Sequence, residues 1–209
     1  MRYFTIDLKK KYIVSLRLKS GDARAKHIQK GVGKMSEGKT TGGMLYIAEK
    51  DSIAMMKVHG NGVRNLAEGF DKWIDHLVAS TNVGCVIVDL AQCTYMDSTF
   101  MGMLVKLARL LMKRCKLLIA NAQPLHHELL DGIGVMKGWE YVDQPVSSES
   151  WNELCDAISG KLNARLVVEV HRQLIDWDER NKKFIPFVNL ALAELSVKKN
   201  DGDAEEDDD

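Results

Sequence analysis

Three short stretches of this chain combine residue types that can do chemistry. At Asp97-Ser98-Thr99 a carboxylate precedes two hydroxyls. They stand where an apolar run gives way to helical spacing, so they fall at a helix N-terminus. A helix start offers unpaired N–H groups and a partial positive charge, which tolerate a phosphate. That arrangement points to a modification switch on Ser98, with Thr99 as the second hydroxyl, more than to a catalyst. The same position has a plainer use, because Ser is a common N-cap and Asp97 favours the helix dipole.

The second stretch is Gly33 to Thr40, GKMSEGKT, which fits the P-loop expression letter for letter. A working P-loop follows a buried strand and opens a helix. Here ARAKHIQKGV precedes it and Thr41-Gly42-Gly43 follows, so the match reads as fortuitous. The third, His126-His127-Glu128, invites a metal or general-base reading. Adjacent histidines on a helix point in different directions and no further ligand is spaced to join them, so cap or surface roles are expected. Cys85, Cys93, Cys115 and Cys155 form no CxxC pair. They read as reduced, mostly buried thiols of a cytoplasmic protein, with no metal and no cofactor.

Apolar periodicity sets the elements that must hold these groups. Met44 to Ala48 and Ile53 to His59 read as strands, and Gly60-Asn61-Gly62 as a turn. Val63 to Val78 carries Leu66, Phe70, Trp73, Ile74 and Leu77 at helical spacing. Cys85 to Leu90 is a continuous, β-branched run typical of a strand covered on both faces. Ser98 to Lys113 is the next helix, Lys116 to Ala120 the next buried strand, and Pro124 to Gly132 a short helix. Trp139 to Val142 closes the strand set, and Ser148 or Ser150 should cap a helix through Ile158. Leu162 to Trp177 is amphipathic, with Leu166, Val170 and Leu174 on one stripe. Phe184 to Leu195 follows the polar turn Asp178 to Lys183, so the two make a helical hairpin. Met96, Met101 and Met103 read as core.

The ends differ. Tyr3 to Leu18 holds two β-prone runs around Lys9 to Lys11 that leave room for a hairpin, and Lys19 to Gly43 reads as a linker. Met35 and Met44 offer alternative starts. Residues before Met44 are mostly basic and those after Lys199 mostly acidic, within a net charge of +0. Opposite-sign ends are usually solvated tails, and without stacking aromatics after Tyr12 the basic one is not read as a nucleic-acid surface. No apolar run is long enough to span a bilayer, and no signal-peptide core is present.

Residues 44–160 resemble the STAS domain, shared by anti-sigma factor antagonists and the cytoplasmic tails of sulfate transporters. The resemblance rests on VIVDL at Val86 to Leu90 followed by YMDSTFMGML at Tyr95 to Leu104. The family pattern is a buried strand, an apolar-Asp-Ser-Ser or Asp-Ser-Thr loop, then a Gly within the helix. Asp97, Ser98, Thr99 and Gly102 hold those positions. The resemblance implies an α/β fold with a mixed four- to five-stranded sheet and helices packed on it. The expected organisation is a basic extension or linker at 1–43, the STAS domain at 44–160, a helical hairpin extension at 161–199 and a disordered acidic tail at 200–209.

The function that follows from the resemblance is that of an anti-sigma factor antagonist. Such a protein catalyses nothing. It sequesters an anti-sigma factor of the serine-kinase type, loses that partner on phosphorylation of Ser98, and regains it through a serine phosphatase. Asp97, Thr99, Phe100, Met101 and Gly102, with Asn61 and Asn65 from the earlier loop, would support the phospho-site and the partner surface. No direct DNA or membrane binding is implied, and the C-terminal helices offer a route to a homodimer. Two departures stand out. Phe100 occupies the place where the family often has Gly, altering the surface shown to a kinase, and Gly60 to Asn65 replaces the usual Gly-Asp/Glu-Leu-Asp loop. The altered loop and the extra helices favour a second expectation, a STAS adaptor subunit of a transport or sensory complex without phospho-regulation.

Overall fold

The computed structural model describes residues 3–8, 12–17, 43–148, 150–154 and 164–202. Its contacts divide the chain into Met1–Lys39 and Thr40–Asp209. In the first unit, β1 (Tyr3–Leu8) and β2 (Tyr12–Arg17) pair antiparallel, with Tyr3 opposite Arg17 and Leu8 opposite Tyr12. This is the hairpin that the two β-prone runs allow. Most of the expected linker, the P-loop-like Gly33 to Thr40 and Cys155 lie outside the described residues.

The second unit is built on a six-stranded sheet rather than the expected four or five. Its order is β7-β6-β5-β4-β3-β8. β3 (Met44–Lys50) and β4 (Ile53–Gly62) form an antiparallel pair around Asp51, which turns at φ 56°. From β4 the sheet is parallel through β5 (Cys85–Met96), β6 (Lys116–Ala120) and β7 (Glu140–Val142). Parallel neighbours need crossovers, supplied here by α1 (Ala67–Ala79), α2 (Ser98–Leu111) and α3 (Pro124–Gly132). Arg114, just past α2, ties the layer together by donating to the Leu77, Val78 and Ser80 carbonyls at the end of α1.

The sixth strand is a correction. Where a helix is expected to begin at Ser148 or Ser150, the chain instead runs extended through β8 (Asn152–Glu153), which pairs with Tyr46 and Ile47 of β3; residues 155–158 of that expected helix lie outside the described residues. An uncovered β3 edge offers unpaired backbone groups, and Leu154 N donates to the Leu45 carbonyl at 2.8 Å. The Lys57 ammonium sits 4.4 Å from the centre of the Trp151 ring. That edge pairing outweighs the local capping signal.

Two further expectations change. Gly60-Asn61-Gly62 does not turn the chain; it continues β4 through register shifts against β5, with Gly60 at φ 73°. β5 correspondingly extends six residues past Leu90 to Met96, so a strand, not a loop, delivers Asp97.

The C-terminal hairpin consists of α4 (Ala164–Trp177) and α5 (Ile185–Gly202), joined by the 3-10 turn Glu179–Phe184. Leu166, Val170 and Leu174 of α4 join the main core with Phe70, Trp73 and Leu104. Each such side chain contributes about 1.5–3 kcal/mol on full burial. The Asn181 amide donates to the Ile133 and Leu174 carbonyls at 2.9 and 2.8 Å, and the Trp177 indole to Gly134 at 2.7 Å. α5 runs to Gly202, three residues into the segment expected to be disordered, and 203–209 lie outside the described residues. It leaves Ile185, Phe187 and Leu190 exposed. Among the described residues no helix is long and apolar enough to cross a membrane.

Candidate functional site

The start of α2 is fixed by Asp97. Its backbone is extended (φ −93°, ψ 172°), and Oδ1 accepts from the Phe100 N–H at 2.9 Å. Asp97 is therefore the N-cap, and Ser98 is the first helical residue rather than the cap. Oδ2 accepts from the Arg64 N–H at 2.9 Å, and the Asp97 N–H donates to Gly62. Asp97 thus joins three elements: its carboxylate ties the 3-10 turn Arg64–Leu66 to the head of α2, and its backbone N–H holds the end of β4. Asn61 accepts from the Thr94 hydroxyl at 2.7 Å. Asn65, Arg64 and Tyr95 are exposed around the same rim.

The other expected surface residues point inward. Thr99 and Met101 are buried and Phe100 is 0 % exposed. The Phe100 ring lies 5.3 Å from that of Phe70, so it fills the core instead of altering the surface shown to a kinase. Met96 and Met103 are buried with it, in keeping with a core role. Gly102 is also structural, because it admits the close approach of α4. A Cβ there would lie 3.0 Å from the Val170 Cβ and 3.1 Å from the Val170 carbonyl oxygen. The Asp97, Ser98, Asn61 and Asn65 side chains are brought to one rim; Thr99, Phe100, Met101 and Gly102 are not part of it.

Ser98 has a partner that the sequence reading missed. Its hydroxyl lies 2.9 Å from His171 Nε2 on α4, across 73 residues of chain. The other ring nitrogen of His171, Nδ1, lies 2.7 Å from the Val167 carbonyl. A carbonyl only accepts, so Nδ1 carries the proton and, in the neutral ring, Nε2 accepts from Ser98. Burial lowers the His171 pKa, against the opposing pull of the Val167 carbonyl and the Asp97 charge. The rings of Phe184 and Phe187 close over it at 5.3 and 4.7 Å. The available signal was a titratable residue on the α4 stripe, four residues after Val167 and one after Val170.

Lys106 reinforces the same contact. Its ammonium lies 2.7 Å from Asp71 and 2.8 Å from Glu169, linking α1, α2 and α4. Burial works against its charge, but the two carboxylates outweigh that and raise its pKa.

The remaining sequence signals have structural uses. Asp89 at the end of VIVD is buried. Its Oδ1 accepts from the Ala91 N–H at 3.0 Å and the Asn121 amide at 2.8 Å, bracing the irregular part of β5 beside a cavity of about 430 Å³. His126 accepts from the Gln123 N–H at 3.0 Å and completes a capping box on α3, while His127 packs on Tyr141. Cys85, Cys93 and Cys115 are free and buried, and burial pushes the Cys85 thiol up to about 11. Among the described residues no three His, Cys, Asp or Glu side chains converge to hold a metal.

Residues 45–138 match the family model of the STAS domain. Three solved structures are similar. The anti-sigma factor antagonist SpoIIAA in its unphosphorylated form is 14% identical, with a TM-score of 0.42 over 49% of this chain and 89% of that one. An anti-sigma factor antagonist from Mycobacterium paratuberculosis is 16% identical, with a TM-score of 0.44 over 49% and 86%. The Bacillus cell fate determinant SpoIIAA in the phosphorylated form is 14% identical, with a TM-score of 0.41 over 48% and 92%. No curated protein matches the sequence.

Proposed function

We propose that the chain, whose residues 45–138 match the family model of the STAS domain, is an anti-sigma factor antagonist, a non-catalytic binding switch set by phosphorylation of Ser98. Its partner is an anti-sigma factor of the serine-kinase type, bound at the rim made by Asn61, Asn65, Asp97 and Ser98. The observation that carries the reading is the place of Ser98 as the first residue of α2, directly after the capping carboxylate of Asp97. The helix dipole offsets the charge of a phosphate there, so the start of α2 tolerates it. A phosphoryl group adds roughly −1.5 to −2 charges at neutral pH. Beside Asp97 that charge repels a partner surface shaped for the free hydroxyl, so docking is lost while the domain stays folded. A serine phosphatase reverses the step, and the chain works in the cytoplasm.

The test is incubation with kinase-type anti-sigma factors and ATP. Label is expected on Ser98 and is expected to be absent from Ser98→Ala. Label elsewhere, or partner binding undiminished by Ser98→Asp, would overturn the proposal.

A second reading is favoured by one observation, the Ser98 hydroxyl held against His171. It makes the chain an adaptor subunit of a transport or sensory complex, with Ser98 serving packing alone. Recovery of transport subunits instead of an anti-sigma factor in a pull-down would decide for it. A homodimer, under either reading, would use the exposed Ile185, Phe187 and Leu190 of α5, because the α4 stripe is already buried.

A further inference from the structure

We propose that the α4–α5 hairpin is a cover, supplied in cis, for the partner-facing end of α2, and that its docking and the modification of Ser98 exclude one another. This deepens the reading above and rests on it for the identity of the face that is covered.

Three observations carry the inference. The α4 stripe of Leu166, Val170 and Leu174 is buried in the same core as α2. Gly102 gives up a side chain where the Val170 backbone and side chain press on α2, at distances a Cβ could not share. The Ser98 hydroxyl is engaged by His171, whose ring is closed in by Phe184 and Phe187. Phosphoryl transfer from ATP forms a bond from Ser98 Oγ to phosphorus, breaks the β,γ bridge, and releases ADP and the hydroxyl proton. The three oxygens that arrive need volume that His171 fills at 2.9 Å from Oγ. Docked hairpin and phosphoserine therefore compete.

Linkage makes the competition reciprocal. Whatever releases the hairpin exposes Ser98 to a kinase, and a phosphate on Ser98 favours the released hairpin. The occupant also defines what fits the face once it is free. That is an amphipathic helix with apolar residues at i, i+4 and i+8, the recognition mode in which a helix lies in a groove.

The experiment measures cover opening without any kinase. In the full chain carrying Ser98→Cys, thiol labelling by a maleimide is followed by peptide-resolved mass spectrometry. The introduced thiol should react at least about 100-fold more slowly than in denaturant, as expected of a site reached by local opening. Adding Gly102→Ala, which wedges α4 from α2, should accelerate its labelling by about 10-fold or more while Cys85, Cys93 and Cys115 stay protected. Labelling of the introduced thiol at the denatured rate would show no cover. No acceleration, or acceleration that exposes the three buried thiols together, would show that the hairpin is inseparable from the core, and either result overturns the proposal. Should Gly102→Ala lower the helical signal, Val170→Ala removes the contact without a clash and is held to the same outcomes. Phosphorylation assays on chains that keep Ser98, with and without Gly102→Ala, separate the two ideas. Gated labelling with no kinase able to modify Ser98, even in the opened variant, sinks the phospho-switch and leaves the cover standing.

Discussion

Replacing Ser98 by alanine, the natural control for a phosphorylation site, should also loosen the fold. The hydroxyl donates to Nε2 of His171, a ring only 3 % exposed. Its removal leaves that nitrogen without a partner, which costs about 1–3 kcal/mol for a buried polar group. Ser98 is itself half-buried, so water reaches the gap in part and the lower end applies. Alanine returns up to about 0.5 kcal/mol through its better helix propensity. The net loss is about 0.5–1 kcal/mol, or a fall in Tm of about 1–4 °C for a domain of this size. The assay is thermal unfolding of a double-mutant cycle with His171→Ala. In the His171→Ala background Ser98→Ala should be neutral or slightly stabilising, because no acceptor is left to orphan. If the two losses instead add within about 0.3–0.5 kcal/mol, the pair is not a unit and the reasoning fails. The cycle matters for function as well, since a phospho-null chain with a loosened hairpin is not a clean control for partner binding.

Two further outcomes follow from the same site. Burial holds the His171 pKa below its ordinary value, with the Val167 carbonyl and the Asp97 charge pulling the other way. The unfolded chain therefore takes up the proton first, so His171's contribution is intact above about pH 6.5 and declines as pH falls from there toward the folded value. His126 is lowered in the same direction, so the check is the difference in urea midpoint between wild type and His171→Gln from pH 7.5 to 5, which should narrow with acid. Asp97→Ala should cost about 0.5–2 kcal/mol through loss of the cap on the Phe100 N–H, with the tie to Arg64 pressing it toward the upper end. Chemical denaturation measures it, and Asp97→Asn should recover the cap on Phe100 but not the tie to Arg64, whose N–H would face the donor end of the amide.

Fold and site differed in how far local sequence could reveal them. Continuous runs such as Val86 to Leu90 and Lys116 to Ala120 announce buried strands because both faces are covered, and the stripe on Val63 to Val78 announces a helix for the same reason. These signals are local. β8 was not legible, because two residues become a strand only where the β3 edge is there to receive them. The continuation of β5 to Met96 was masked because exposed Gln92, Thr94 and Tyr95 surround buried Cys93 and Met96 without the two-residue alternation of a regular strand. At the site, the Asp-Ser-Thr run located the start of α2 correctly but misassigned the cap. Asp97 and Ser98 are equally good cap residues by type, and only the backbone decides between them. His171 was hidden for a different reason: its role exists only once α4 is folded onto α2, and no spacing rule spans 73 residues.

The two departures from the family pattern, Phe100 and the Gly60 to Asn65 segment, turn out to be one packing solution. The Phe100 ring lies on Gly62. A Cβ at Gly62 would sit 3.0 Å from Phe100 Cδ1, 3.1 Å from its Cγ and 3.2 Å from Met96 Cγ. Gly62 is not among the residues with positive φ, so the demand for glycine is steric rather than conformational. Its carbonyl also receives the Asp97 N–H, which fixes the strand and prevents it from backing away. Gly62→Ala should therefore cost about 1–3 kcal/mol by overpacking. Phe100→Leu shortens the ring side of the contact while leaving Met96, whose flexible end can move. In that background the penalty for Gly62→Ala should fall by at least half, as read from urea midpoints. An equal penalty in both backgrounds would mean that the ring is not what excludes the methyl group, and that the bulky residue at 100 and the glycine at 62 were set independently.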